Sequence, residues 1–201
     1  MIQAALQVAD RLAILISRRE EPDEKTFTDV IEPMFRDAES VVYDYASLHL
    51  DLIMQIYTHD ERDAIIHWLE RYRLDFMPLG IQVKTLVAKA VIHHSYGHHN
   101  KSIMKFKQGI LGIMQGIIRL VEEPTLPLKN YGYIGPTLIH QLYKEPQGSL
   151  LDDRSPYVDI AKKQHQAIER AWEDAVEGYA AMKFAFQAAR RYETSAAFLV
   201  S

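Results

Sequence analysis

Two side chains suited to phosphoryl chemistry, Arg62 and His67, stand five residues apart in the segment RDAIIHWLERYRLDF. A fixed guanidinium can stabilise charge developing on a phosphoryl oxygen. An imidazole, with its near-neutral pKa, can move a proton at the attacking or leaving oxygen. A helix over this segment buries a stripe of Ile65, Trp68, Leu69, Tyr72 and Phe76, so His67 is expected on the opposite side, where a site is permitted. Asp63, His67 and Arg71 follow one another at i,i+4 spacing, which equally describes a solvated helix face. A second group is His93, His94, His98 and His99. His94 and His98 have the spacing that lets two imidazoles share a metal on one helical face, yet Gly97 is expected to end the helix between them. Histidines at a helix C-terminus also suit its dipole, and no metal is assigned here. His165 falls in the apolar seam of the last helix, where a polar residue fixes register or takes a neighbour's hydrogen bond.

The pattern Arg-polar-x-x-x-His at Arg62-Asp63 and His67 resembles the motif of the HEPN helical-bundle ribonucleases. That resemblance implies a homodimer that cleaves RNA without a metal, with Arg62 stabilising phosphoryl charge and His67 in proton transfer. It covers six residues and an all-helical outline. His59-Asp60 is similar to the metal-ligating pair of the HD phosphohydrolases, but its neighbours read as a helix cap. Glu-x-x-His, His-Glu-x-x-His, glycine-rich phosphate loops and the Gly-x-Ser-x-Gly elbow do not occur, so no cofactor is expected.

Charge is unevenly placed. The net charge is −4, yet residues 76–121 contain no Asp or Glu, while Lys84, Lys89, Lys101, Lys105, Lys107 and Arg119 all lie there. This segment is either a basic face for phosphate, nucleic acid or an acidic partner, or a buried stretch whose lysines edge the bundle. A candidate protein interface is carried by Trp172, Tyr179, Phe186 and Phe198 near the C-terminus.

These residues need helices to hold them. The chain has 201 residues, 48% apolar and 25% charged, which suits one globular domain over 1–201. It has no cysteine and no convincing leader or span, which points to a cytoplasmic, soluble protein. Five helices are expected over 1–123. The first runs from about Ile2 to Arg19, and the second reaches Tyr57 with Pro33 at its start or at a kink. The third opens after an Asp60 cap and ends at Pro78 and Gly80; the fourth follows to Gly97. The fifth is capped by Asn100 or Ser102 and buries Ile103, Phe106, Ile110, Ile113, Ile117 and Val121. Its Gly109, Gly112 and Gly116 would admit a second helix at close range. A Pro/Gly-rich excursion, with one short helix near Thr137–Lys144, fills 124–155.

Ser155-Pro156 then starts a long helix over 156–193, followed by an apolar tail at 194–201. Its seam of Ala161, His165, Ile168, Trp172, Ala175, Tyr179, Met182, Phe186 and Ala189 alternates steps of four and three. The expected fold is an all-α, mainly antiparallel helical bundle with a long C-terminal helix. The expected function is a non-catalytic accessory subunit that docks on a partner protein, in a homo- or hetero-oligomer, and could touch nucleic acid through the basic segment. The alternative is the HEPN-like ribonuclease.

Overall fold

The computed structural model describes residues 1–17, 23–94, 100–121 and 136–199, with the side chains of 89–94 and 190–199 left out of the description. Among them the chain forms helices α1 (Ile2–Ser17), α2 (Glu24–Thr26), α3 (Glu32–Thr58), α4 (Arg62–His94), α5 (Lys101–Ile118), α6 (Leu138–Lys144) and α7 (Ser155–Leu199). It is an all-α bundle with a long C-terminal helix. Arg18, Arg19, Gly97, residues 124–135 of the Pro/Gly-rich stretch and the end of the apolar tail fall outside the described residues. α7 runs on through 194–199, in place of the expected separate tail.

Local chemistry sets most helix ends. Asp23 caps α2, its carboxylate accepting from the Thr26 amide at 2.7 Å. The chain then widens into one π turn, Phe27–Ile31, closed by the Glu32 amide donating to the Phe27 carbonyl. Pro33 follows immediately: it has no amide to offer Asp29, so the turn before it is free to widen and α3 restarts with proline in its first turn. Asn100 caps α5, accepting from Ser102 N and Ile103 N. Thr137 caps α6. At α7 the expected start shifts by one residue: Ser155 is itself helical, and the Asp153 carboxylate takes its amide at 2.9 Å.

One expectation fails outright. Pro78 and Gly80 do not end a helix; α4 runs through both, so the third and fourth expected helices are one. An interior proline costs about 3 kcal/mol. Phe76, Leu79, Val83, Leu86 and Val87 nevertheless form an unbroken buried face across it. Each such side chain contributes about 1.5–3 kcal/mol on burial, so the sum exceeds the penalty. The carbonyl that loses its partner belongs to Leu74, on the exposed side where water can reach it.

α3 and α5 pack antiparallel on α7, while α1 packs on α3 and α4. α1 lies against α3, pinned at one end by the Met1 ammonium on Asp44 (2.8 Å) and at the other by Arg11 on Asp37. α3 runs down α7 through an aromatic column: Trp172 and Tyr179 stack on Phe35 at 5.1 and 3.9 Å, and Phe186 meets Phe27 at 5.0 Å. α5 covers another side of α7, with Lys105 on Asp174 and Glu177. Here the helices nearly touch. A Cβ at Gly109 would lie 2.5 Å from both the Ala171 carbonyl oxygen and the Ala175 nitrogen. At Gly178 it would lie 2.6 Å from the Ser102 carbonyl oxygen and the Phe106 nitrogen, and at Gly116 it would strike Ile168.

Gly109→Ala and Gly178→Ala therefore must push α5 and α7 apart, because the obstructing atoms are backbone. Overpacking costs about 1–3 kcal/mol, against a helix-propensity gain of about 1 kcal/mol. Each variant is expected to lower the urea midpoint at unchanged m-value, and the double variant more so. An unchanged midpoint would mean that the helices are not in contact.

Candidate functional site

Arg62 opens α4 and is buried. Its Nε donates to the Leu142 carbonyl at 2.9 Å, its Nη1 pairs with Asp63, and the guanidinium sits 5.6 Å from the centre of the Tyr143 ring. Asp63 also accepts from the Gly148 amide at 2.9 Å. Gly148 has φ +72°, as the tight Pro146–Ser149 turn requires. The Ser149 carbonyl accepts from the Arg62 amide, and Leu151 donates to the Asp60 carbonyl. Arg62 is thus the post to which α6 and the 146–151 turn are tied. His67 is exposed on the outer face of α4. Five residues turn a helix through about 500°, which leaves the two side chains about 140° apart. The structure does not bring them together within the chain.

The other sequence candidates are placed as follows. His59 pairs with Gln55 at 2.9 Å, and the Asp60 carboxylate is taken by Arg154 rather than by the start of α4. Among the described residues no group of three His, Asp or Glu side chains could hold a metal. The His93, His94, His98 and His99 side chains lie outside the described residues, as do those of Lys89 and Phe198.

Among the described residues, the cations of the acid-free segment do not share one exposed face. Lys84 and Lys101 are exposed, but Lys105 is engaged by two α7 carboxylates and Arg119 is buried. Lys107 is half-buried, and burial pushes its ammonium down to about 8. The residues read as a protein interface are largely spent inside the chain. Tyr179 is buried, and Trp172 and Phe186 are half-buried against Phe35 and Phe27.

His165 packs in the seam by ring stacking. Its ring lies 4.2 Å from that of His49 on α3, nearly parallel at 8°, with Tyr45 at 5.8 Å. His165 Nε2 faces Glu169 at 3.4 Å. The Nδ1 atoms of both histidines and the Tyr45 hydroxyl are buried without a hydrogen-bond partner. Imidazole lone pairs lie in the ring plane, so two rings stacked face to face cannot direct them at one ion. Burial, and then the His165 charge, pushes His49 down to about 4.

A feature that sequence reasoning missed lies on the outside of α3. Tyr43, Leu50, Met54 and Tyr57 share one face and are 56–75% exposed. Leu74, Met77 and Ile81 make a second exposed stripe on α4, in line with His67. Contiguous apolar surface of this kind marks an interaction site more often than bare solvent contact. A signal was present: residues 37–61 carry six acidic residues and no Lys or Arg, the reverse of the acid-free segment.

The His49 shift has a pH consequence. Its folded value is depressed below the usual 6.5, so between 6.5 and about 4 the unfolded chain binds a proton that the folded chain refuses. Stability is expected to be greatest above pH 6.5 and to be lost as pH falls through this window. His49→Phe should flatten that slope by about one proton, as read from urea midpoints against pH. An identical slope in the variant would remove His49 as the cause. Comparison with protein-family models, with curated proteins and with solved structures found no match to this chain.

Proposed function

We propose that this chain is a helical interaction subunit that docks on a partner protein through the outward face of α3, with the exposed stripe on α4 as a second contact. The observation that carries this is the row Tyr43, Leu50, Met54 and Tyr57, four large side chains exposed along one side of a helix whose other side is fully in the core. A helix in that position presents a ready row of anchors for another helix. No described helix is long and apolar enough to cross a membrane, and a cytoplasmic location belongs to the same proposal. A ribonuclease acting through Arg62 and His67 would need the guanidinium at the substrate. Burial and the Leu142 carbonyl hold it elsewhere, so that alternative finds no support in the geometry.

The test compares three forms of the full chain in pull-downs from the native host, with RNA cleavage assayed alongside. Wild type and His67→Ala are expected to retain the same partner, and Leu50→Glu/Met54→Glu to lose it with helicity unchanged. RNA cleavage abolished by His67→Ala would instead establish the enzyme. Equal retention by all three forms would dismiss the α3 face.

A further inference from the structure

The chemistry around the α3 stripe narrows what can sit on it. Tyr43 to Tyr57 spans 14 residues, about 21 Å at 1.5 Å per residue, which is the length of roughly four helical turns. Half-buried Val42 and Ile53 border it on one side and continue its apolar character toward α7. Glu39 and Asp51 stand exposed along the same helix, and no ion pair engages either among the described residues. The other acidic groups nearby are partly neutralised: Asp37 by Arg11, Asp44 by the N-terminal ammonium, Asp60 by Arg154. The one Lys or Arg of α3, Arg36 at its start, pairs with Glu32 at 3.2 Å, and residues 37–61 contain no Lys or Arg at all.

This charge excludes several occupants. RNA phosphates and anionic lipid headgroups would be repelled by the same carboxylates. A second copy of this chain fits the apolar spacing, since antiparallel pairing centred on Leu50 sets Tyr43 opposite Tyr57. The same pairing brings Asp51 beside its own equivalent, like charge against like. The area argues the same way. Taking about 150–250 Å² for each large side chain, the exposed part of the stripe amounts to about 500 Å². A stable dimer commonly buries about 800 Å² on each partner.

Resting on the interaction proposal above, we infer that the α3 face receives a basic amphipathic helix of another protein. Its apolar row seats on Tyr43, Leu50, Met54 and Tyr57, and its flanking Lys or Arg side chains meet Glu39 and Asp51. Apolar contact holds the helix, while the carboxylates select it and speed the encounter.

Two synthetic helical peptides of about 18 residues test this by fluorescence anisotropy with the full chain. Both carry leucines at alternating three- and four-residue spacing; one has lysines on its flanks and the other glutamates. The lysine peptide is expected to bind at least about ten-fold more tightly. Leu50→Glu/Met54→Glu should weaken it by a similar factor with helicity unchanged, and Glu39→Lys/Asp51→Lys should reverse the preference between the peptides. Equal binding of the two peptides overturns the inference, as does lysine-peptide binding that Leu50→Glu/Met54→Glu leaves intact. A doubled mass by light scattering that Leu50→Glu/Met54→Glu returns to one chain also overturns it, in favour of a second copy. If host-partner capture still depends on Leu50 and Met54 while the lysine peptide is not preferred, the interaction proposal stands and this inference alone fails.

Discussion

The backbone contact between α5 and α7 is the constraint on which the other packing depends. Gly109 lets the chain of α7 come against α5 at Ala171 and Ala175, and Gly178 returns the favour at Ser102 and Phe106. Two glycines on opposite helices, interlocked this closely, fix rotation as well as distance. Sliding by one turn would set a side chain where only a hydrogen fits. Lys105 on Asp174 and Glu177 adds an electrostatic clamp at the same level. Glycine within a helix is unfavourable by about 1 kcal/mol each, so the contact area gained must exceed that loss.

Fixing the rotation of α7 decides what its remaining sides can do. With Ala171, Ala175 and Gly178 committed to α5, the side carrying His165, Trp172, Tyr179 and Phe186 is turned to the π turn and α3. That is why the aromatic residues that look like an interface in the sequence are internal. It is also why α3 meets α7 along one side only and keeps another for solvent. Tyr45 and His49 are the cost of that arrangement: they bring polar atoms into the α3–α7 contact without partners. Ring stacking recovers part of the loss, since flat neutral rings pack well even where their nitrogens do not bond.

What could be read in advance follows from whether the controlling physics is local. The α5 stripe, an α5 cap at Asn100 or Ser102, the short α6 and the seam of α7 as far as Phe186 depend on spacing and on neighbours in sequence and were legible, whereas Ala189, read into the same seam, is exposed. The close approach allowed by Gly109 and Gly116 was legible too, because unexplained glycines in a helix demand a reason. Gly178 was not, lying within a seam scored for its large residues. Pro78 misled because a proline rule describes an isolated helix, whereas a core face running from Phe76 to Val87 overrides it. Arg62 misled for a related reason. A short motif states which groups are present but not whether a distant carbonyl, here that of Leu142, has already claimed one.

Charge shows the same contrast between composition and placement. The acid-free stretch invites a search for a cationic surface, yet folding consumes much of it. Lys105 is paired across the α5–α7 contact, Lys107 is half-buried and pushed toward neutrality, and Arg119 is buried. On α3 the balance runs the other way. Asp37 and Asp44 are met by Arg11 and the Met1 ammonium and Glu32 by Arg36, while among the described residues no ion pair reaches Glu39 or Asp51 beside the apolar row. A surface that is both apolar and acidic is poorly satisfied by water alone or by a copy of itself. It is satisfied by a surface that is apolar and basic, and a cationic amphipathic helix is the simplest structure with that pattern at a repeat matching α3.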